Sequence, residues 1–213
     1  MQANDDWSNS AKEESRALMP HDAVKPSTIE RRVALGERRR VDEMSPEEMR
    51  RALLTSEVTG LPNRRAFDET VQAVAVAMTD VDGLNALNRF GYDIGNALLR
   101  AKADALREAG LDAYHDKGDE FLCRGDSTEA LQANLERARA ILRGRTIVVQ
   151  RSDGGRLSFA GADFSFGVGT NIDQAELLLK RHKAQREERG EVARGELRGI
   201  TIKRYQAETP ATK

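Results

Sequence analysis

Val74-Ala75-Val76-Ala77-Met78 is uninterruptedly apolar, and Thr79-Asp80-Val81-Asp82-Gly83 follows at once. A run this short, rich in valine and closed by a turn signal, predicts a buried strand. The rest of the chain must give that strand partners in a sheet and helices to cover it. It must also place two carboxylates, Asp80 and Asp82, expected at the strand's C-terminal end.

The flanking sequence meets these demands. Ser45-Pro46-Glu47-Glu48 opens a helix expected to reach about Thr55, with Ser45 as N-cap and Glu48 as the reciprocal capping carboxylate. Thr59-Gly60-Leu61-Pro62-Asn63 breaks it, and a second helix near Asn63 turns Ala66, Phe67 and Val71 inward. After the strand come a short helix, Leu84–Phe90, and a longer amphipathic one, Ile94–Ala109, with Leu98, Leu99, Ala103 and Leu106 on its apolar face. Asp112–His115 and Phe121–Arg124 are strands joined through Asp116-Lys117-Gly118-Asp119. Ser127 caps a helix over Thr128–Arg143. Thr146–Gln150 and Leu157–Ala160 flank the hairpin turn Ser152-Asp153-Gly154-Gly155, and Phe164–Val168 is a further strand. Asp173 is expected to cap a last helix reaching about Arg189, and Ile200–Tyr205 is a closing strand. This order predicts an α+β fold: a ferredoxin-like, βαββαβ kernel whose central antiparallel sheet has helices packed on it.

A chain of 213 residues suits one domain with extensions. Residues 1–44 read as a charged leader, mobile or partly helical, in which Ile29, Val33, Leu35 and Val41 form only a thin apolar stripe among arginines. Residues 45–205 are the expected domain and 206–213 a polar tail. The 34 basic and 35 acidic residues leave a net charge of −1, which does not imply uniform polyanion binding but leaves the basic leader as a route to nucleic acid. The single cysteine, Cys123, excludes an internal disulfide framework and a multi-cysteine zinc site, and it is expected to pack inside its strand. There is no apolar signal region and no run near the ~20 apolar residues of a membrane span. A reducing compartment, most simply the cytoplasm, is expected, with no membrane partner.

Two acidic clusters carry the chemistry. Asp80 and Asp82 end the first strand, while Asp119 and Glu120 sit in the hairpin between the next two. In a ferredoxin-like sheet these strands are neighbours, so both clusters reach one edge. Converging carboxylates repel unless a cation stands between them. Small oxygen-only ligands suit Mg²⁺ or Mn²⁺, ions that organise phosphoryl or nucleotidyl transfer. A solvated acidic turn is the alternative.

Five blocks in order carry a resemblance: Thr59-Gly60-Leu61-Pro62-Asn63-Arg64-Arg65-Ala66-Phe67; Asp80-Val81-Asp82-Gly83-Leu84-Asn85-Ala86-Leu87-Asn88; Gly91-Tyr92-Asp93-Ile94-Gly95-Asn96-Ala97-Leu98-Leu99; Lys117-Gly118-Asp119-Glu120-Phe121; and Ser165-Phe166-Gly167-Val168. Together they resemble the GGDEF family, the diguanylate cyclases, from about Ser56 to Gly190. The resemblance implies a polymerase-palm-like fold that joins two GTP into cyclic di-GMP with release of two pyrophosphates, each of two facing domains holding one GTP. It implies Asp80, the Val81 carbonyl and Glu120 as ligands of Mg²⁺ or Mn²⁺. Asp119 would join them or help deprotonate the attacking hydroxyl. It further implies Asn88 on the guanine edge, Gly118 against the nucleotide, and Leu84, Asn85 and Asn96 in the substrate site.

The chain departs from the family pattern at four places. Lys117 stands for the first glycine of the name motif. Asn96 stands for a guanine-reading aspartate, so one of two acceptors becomes a donor. His115 and Asp116 replace an arginine-containing lead-in, and Glu108 and Leu111 occupy the product-inhibition positions, so feedback there is not expected. The last helix reads Lys180-Arg181-His182-Lys183-Ala184-Gln185-Arg186, and Arg186 or Arg189 is a candidate to replace the family's phosphate-binding cation. His182 and the charged face of Glu176–Arg189 otherwise read as solvated. The functional alternatives are a working diguanylate cyclase, or a cyclase with altered purine choice; a silent GTP-binding or protein-interaction module; and a nucleic-acid module using the leader. The stretch before Ser45 is too short for a sensor domain, so regulation is expected from expression, self-association or a separate protein.

Overall fold

The computed structural model describes residues 43–70, 73–150, 155–191 and 200–205. The expectations for leader residues 1–42, Val71, hairpin-turn residues 151–154 and tail 206–213 lie outside them. The chain divides into two units after Glu47, within the first described helix, and the site lies in the second, Glu48–Lys213.

Helix α1 (Pro46–Leu54) and helix α2 (Arg64–Glu69) come first. The Asn63 side chain caps α2 by accepting from the Ala66 amide. Strand β1 (Ala75–Val81) is followed by α3 (Leu84–Asn88) and α4 (Tyr92–Glu108). Strands β2 (Asp112–Lys117) and β3 (Glu120–Gly125) form a hairpin; α5 (Thr128–Gly144), capped by Ser127, follows. Then come β4 (Thr146–Gln150), β5 (Arg156–Ala160), β6 (Phe164–Gly169), α6 (Ile172–Glu188) and β7 (Thr201–Tyr205).

The main sheet has the order β2-β3-β1-β6 and is antiparallel throughout. Read as β6-β1-β3-β2, this is the strand order of the ferredoxin-like kernel. A second sheet, β4-β5-β7, is also antiparallel, so the closing strand completes it and not the main sheet.

Strand β1 is buried on both faces, as its apolar run requires. Ala75, Ala77 and Val81 pack into the larger core cluster with Leu98 and Leu106 of α4 and Leu131 and Leu135 of α5. Val76 and Met78 alternate to the other face, with Tyr114 and Leu122, Phe67 of α2, and Ala175 and Leu179 of α6. Helix α6 approaches β6 so closely that a Cβ on Gly167 would stand 2.1 Å from the Leu179 nitrogen and 2.2 Å from the Ala175 carbonyl oxygen. Only glycine permits that contact between backbones.

Two expectations need correction. The first strand does not stop at Met78: Thr79, Asp80 and Val81 continue the ladder between β3 and β6. The carboxylate of Asp80 is tolerated inside the strand because it finds the Lys183 ammonium there. The last helix begins earlier than expected, with Asn171 as its N-cap accepting from the Gln174 amide and Asp173 already in its first turn.

Candidate active site

The register places Asp80 directly opposite Glu120 on β3 and opposite Ser165 on β6. Glu120 is the first residue of β3, paired with Lys117 across the two-residue turn Gly118-Asp119. Gly118 has φ +54°, the glycine conformation a tight hairpin favours at the first turn position. Apart from Lys117 and Asp119 on either side of it, no described residue comes within 4 Å of where its Cβ would be, so the turn is open above the backbone. Lys117 has no positive φ and so carries none of the backbone strain that replacing a glycine threatens.

The hairpin is braced from below. His115 is buried and stacks on Phe121 with centroids 4.6 Å apart. Its Nε2 lies 3.1 Å from the Gly118 carbonyl, which can only accept, so Nε2 carries the proton. Nδ1 then accepts from the Ser56 hydroxyl at 2.7 Å. Burial pushes this histidine's pKa down, favouring the neutral form the two contacts need. The Asp119 carbonyl accepts from the Val81 amide at 3.2 Å and from the Lys102 ammonium at 3.4 Å. Lys102 is fully buried on α4, 4.2 Å from the Phe121 ring centre, and burial pushes its pKa down to about 7.

The carboxylates have different surroundings. Asp80 is 9% exposed, and its Oδ2 lies 2.6 Å from the Lys183 ammonium on α6. Its pKa is raised: burial pushes it up, Lys183 draws it down, and the neighbouring charge of Asp119 pushes it up again. Glu120 Oε2 is buried and takes no hydrogen bond among the described residues. The Lys117 ammonium stands 3.5 Å from that oxygen, an ion pair without hydrogen-bond geometry. Asp82 is engaged elsewhere, accepting from the Ser165 hydroxyl at 3.1 Å and from Arg186 at 2.6 Å.

The edge therefore unites Asp80 and Glu120 through register, with Asp119 in the adjoining turn. Among the described residues, no group of three or more His, Cys, Asp or Glu is gathered at metal-holding distance. The expected convergence of both clusters is thus narrower than the sequence suggests. Asp82 is drawn off by Arg186, and Asp119 engages its surroundings through its backbone. The Asp80–Glu120 pair still fits a divalent ion, because its donors are all oxygen and one of them is buried without a hydrogen bond.

Asn88 ends α3, and Asn96 follows Gly95 near the start of α4. A Cβ on Gly95 would stand 1.8 Å from Asn88 Oδ1 and 3.2 Å from Leu84 Cδ1, so the Asn88 amide rests on the bare first turn of α4. Leu84 is buried beneath it and Asn85 is exposed. Asn88 and Asn96 are both half-buried.

The last helix differs most from expectation. Arg186 is not available to a phosphate: it is 2% exposed and bound by Asp82, Asp163, Ser165 and Glu191. Asp163 is the hub of this cluster, also held by Arg139 and Arg143. Burial alone would push its pKa up, but the arginines outweigh that and hold it below the ordinary carboxylate value. Arg189 pairs with Glu191. His182, expected to be solvated, is half-buried edge-on to Phe166, and Nδ1 lies 2.8 Å from the Phe166 carbonyl. Glu108, at a product-inhibition position, is paired with Arg145, and Leu111 is buried. Cys123 is buried in β3 as expected, its thiol pushed up to about 12 by burial. The sequence offers one hint of these inward charges: Lys102 interrupts the apolar face of α4. Nothing in the spacing marks Lys183 or Asp163.

No protein-family model matches the chain. No curated protein matches it either. Solved structures do. The diguanylate cyclase SiaD, solved with its activator SiaC, from Pseudomonas aeruginosa is 22% identical with a TM-score of 0.52, over 73% of this chain and 75% of that one. The coiled coil and GGDEF domain of DgcB from Caulobacter crescentus, solved with c-di-GMP, is 21% identical with a TM-score of 0.52, over 77% and 96%. The GGDEF domain of TpbB (YfiN) from Pseudomonas aeruginosa is 20% identical with a TM-score of 0.51, over 62% and 89%. The chain has the fold of GGDEF diguanylate cyclase domains. Among the described residues, no helix is long and apolar enough to cross a membrane.

Proposed function

We propose that residues 45–205 form a metal-dependent nucleotidyltransferase that condenses two GTP into cyclic di-GMP, acting in the cytoplasm as a homodimer formed at least for turnover. The observation that carries this reading is the Asp80–Glu120 pair, opposed across β1 and β3, with a buried Glu120 oxygen lacking a hydrogen bond among the described residues. Such an oxygen is costly to bury without a hydrogen bond, and a bound divalent ion would satisfy it more fully than the Lys117 ammonium 3.5 Å away. Asp80 and Glu120 would hold Mg²⁺ or Mn²⁺, with the Val81 carbonyl and Asp119 as further oxygen donors. Bound there, the ion neutralises charge on the phosphoryl oxygens and lowers the pKa of the attacking hydroxyl.

The chain's own groups do the rest. Gly118 lets the triphosphate lie against the hairpin backbone, which no described residue beyond its chain neighbours approaches within 4 Å of the missing Cβ. Asn88, seated on Gly95, hydrogen-bonds the guanine edge, and Leu84 and Asn85 border the base. Asn96 offers one acceptor where a carboxylate offers two, so GTP binds about ten- to a hundredfold more weakly or base choice relaxes. The 3′-hydroxyl of the GTP on one domain attacks the α-phosphorus of the GTP on the other. Asp119 takes the hydroxyl proton or joins the ligand set. A phosphorus–oxygen bond forms, the bond to pyrophosphate breaks, and the reciprocal attack closes the ring.

The test is incubation of purified protein with Mg²⁺ or Mn²⁺ and GTP, ATP or both, with products identified by mass spectrometry. A cyclic dinucleotide, absent with folded Glu120→Ala, is expected. A second reading, a GTP-binding or protein-interaction module without turnover, is favoured by the ammonium groups of Lys183 and Lys117 beside Asp80 and Glu120. Retained GTP binding with no product at high protein concentration selects it.

A further inference from the structure

We propose that Lys183 is a resident cation that competes with the divalent ion for Asp80, so that the metal enters only as the lysine leaves; this rests on the metal-site reading above. Its ammonium lies 2.6 Å from Asp80 Oδ2, in hydrogen-bond contact with a carboxylate that is itself only 12% exposed. An ammonium and a divalent ion carry the same sign of charge and cannot share that oxygen without strong repulsion in so dry a place. An ion that takes Oδ2 therefore has to displace the ammonium.

The neighbouring cations cannot take this role. Arg186, three residues further along α6, is fixed by Asp82, Asp163, Ser165 and Glu191. Lys180, three residues before, pairs with Glu176 at 2.6 Å. Lys102 comes from α4, is fully buried, and donates to the Asp119 carbonyl. Lys183 differs in being both in contact with Asp80 and 36% exposed, so its four-carbon stem can carry the ammonium out to water. A nucleotide arriving at the Gly118 turn would offer its phosphates to that ammonium as Asp80 is released. Metal and nucleotide binding then reinforce each other, because each favours the displaced lysine.

The experiment is Mn²⁺ binding to the full chain without nucleotide, read from loss of the free-ion electron paramagnetic resonance signal. Lys183→Met and Lys183→Gln are compared with wild type, with Lys180→Met as control and thermal unfolding confirming that each variant is folded. The expected result is binding about ten- to a hundredfold tighter in both Lys183 variants, the span of one charge-assisted hydrogen bond, with Lys180→Met unchanged. Adding Glu120→Ala to Lys183→Met should abolish the gain. Equal Mn²⁺ affinity in wild type and both variants overturns the competition and leaves the metal site standing. No Mn²⁺ uptake by any folded form at millimolar ion overturns the metal site and the competition with it.

Discussion

The Arg186 guanidinium lies 2.6 Å from the Asp82 carboxylate across 104 residues of chain. It ties the end of β1 to α6, with Asp163 ahead of β6 as the second anchor. Removing one partner of a buried ion pair leaves the other uncompensated. Arg186→Met is expected to lower stability by about 3–5 kcal/mol in urea unfolding. Arg186→Lys should recover only part, because one ammonium cannot fork between two carboxylates. A loss below about 1 kcal/mol would equate this pair with an exposed one and remove its structural importance.

Lys102 gives a pH dependence of opposite sense to a normal ion pair. Burial lowers its folded pKa to about 7, against the pull of Asp80, Asp119 and Asp82. Between about pH 7 and about 10.4 the unfolded lysine is protonated and the folded one is not, so stability rises with pH across that window. Wild-type unfolding free energy should climb by a few kcal/mol from pH 7 to 10 relative to Lys102→Met. Parallel pH curves for the two proteins would show that the buried amine keeps an ordinary pKa.

Gly95 links helix stability to base recognition. An added methyl meets Asn88 Oδ1 at 1.8 Å, and that atom is the end of a side chain that can swing away. Alanine is also the better helix former by about 1 kcal/mol. Gly95→Ala should therefore unfold at the same temperature or higher, yet bind GTP at least roughly tenfold more weakly, the loss of about one hydrogen bond to the base. Isothermal titration with GTP checks it; unchanged affinity removes Asn88 from the guanine site.

If product forms between two facing domains, the rate per protein molecule should rise in proportion to protein concentration while the protein is mainly monomeric. Initial rates over a hundredfold dilution series measure this. A constant specific rate accompanied by a monomeric sedimentation profile would rule out the two-domain reaction.

Local features were readable from the residues. The apolar run of β1, the glycine turn between β2 and β3, the helix start near Asn63 and the Ser127 cap depend on neighbours a few positions away. The Asp80–Glu120 pairing was reachable too, because the predicted kernel makes β1 and β3 neighbours. Destinations of long charged side chains were not. Lys183 and Arg186 lie on a helix whose composition looks like a solvated surface, and only its close approach over Gly167 points them at β1. The choice of Asn171 over Asp173 as N-cap also escaped, since both residues can cap and tertiary packing sets where the helix starts.

Strand β5 lies in the middle of the second sheet, between β4 just upstream and β7, which the chain supplies only after α6. During vectorial synthesis, one edge of β5 is therefore bare until the last residues of β7 have emerged. Leu157 and Phe159 on β5 are almost wholly inaccessible in the finished domain. The nascent chain consequently passes through an interval in which β5, with Leu157 and Phe159, shows an unpaired edge to other chains, an exposure that favours aggregation.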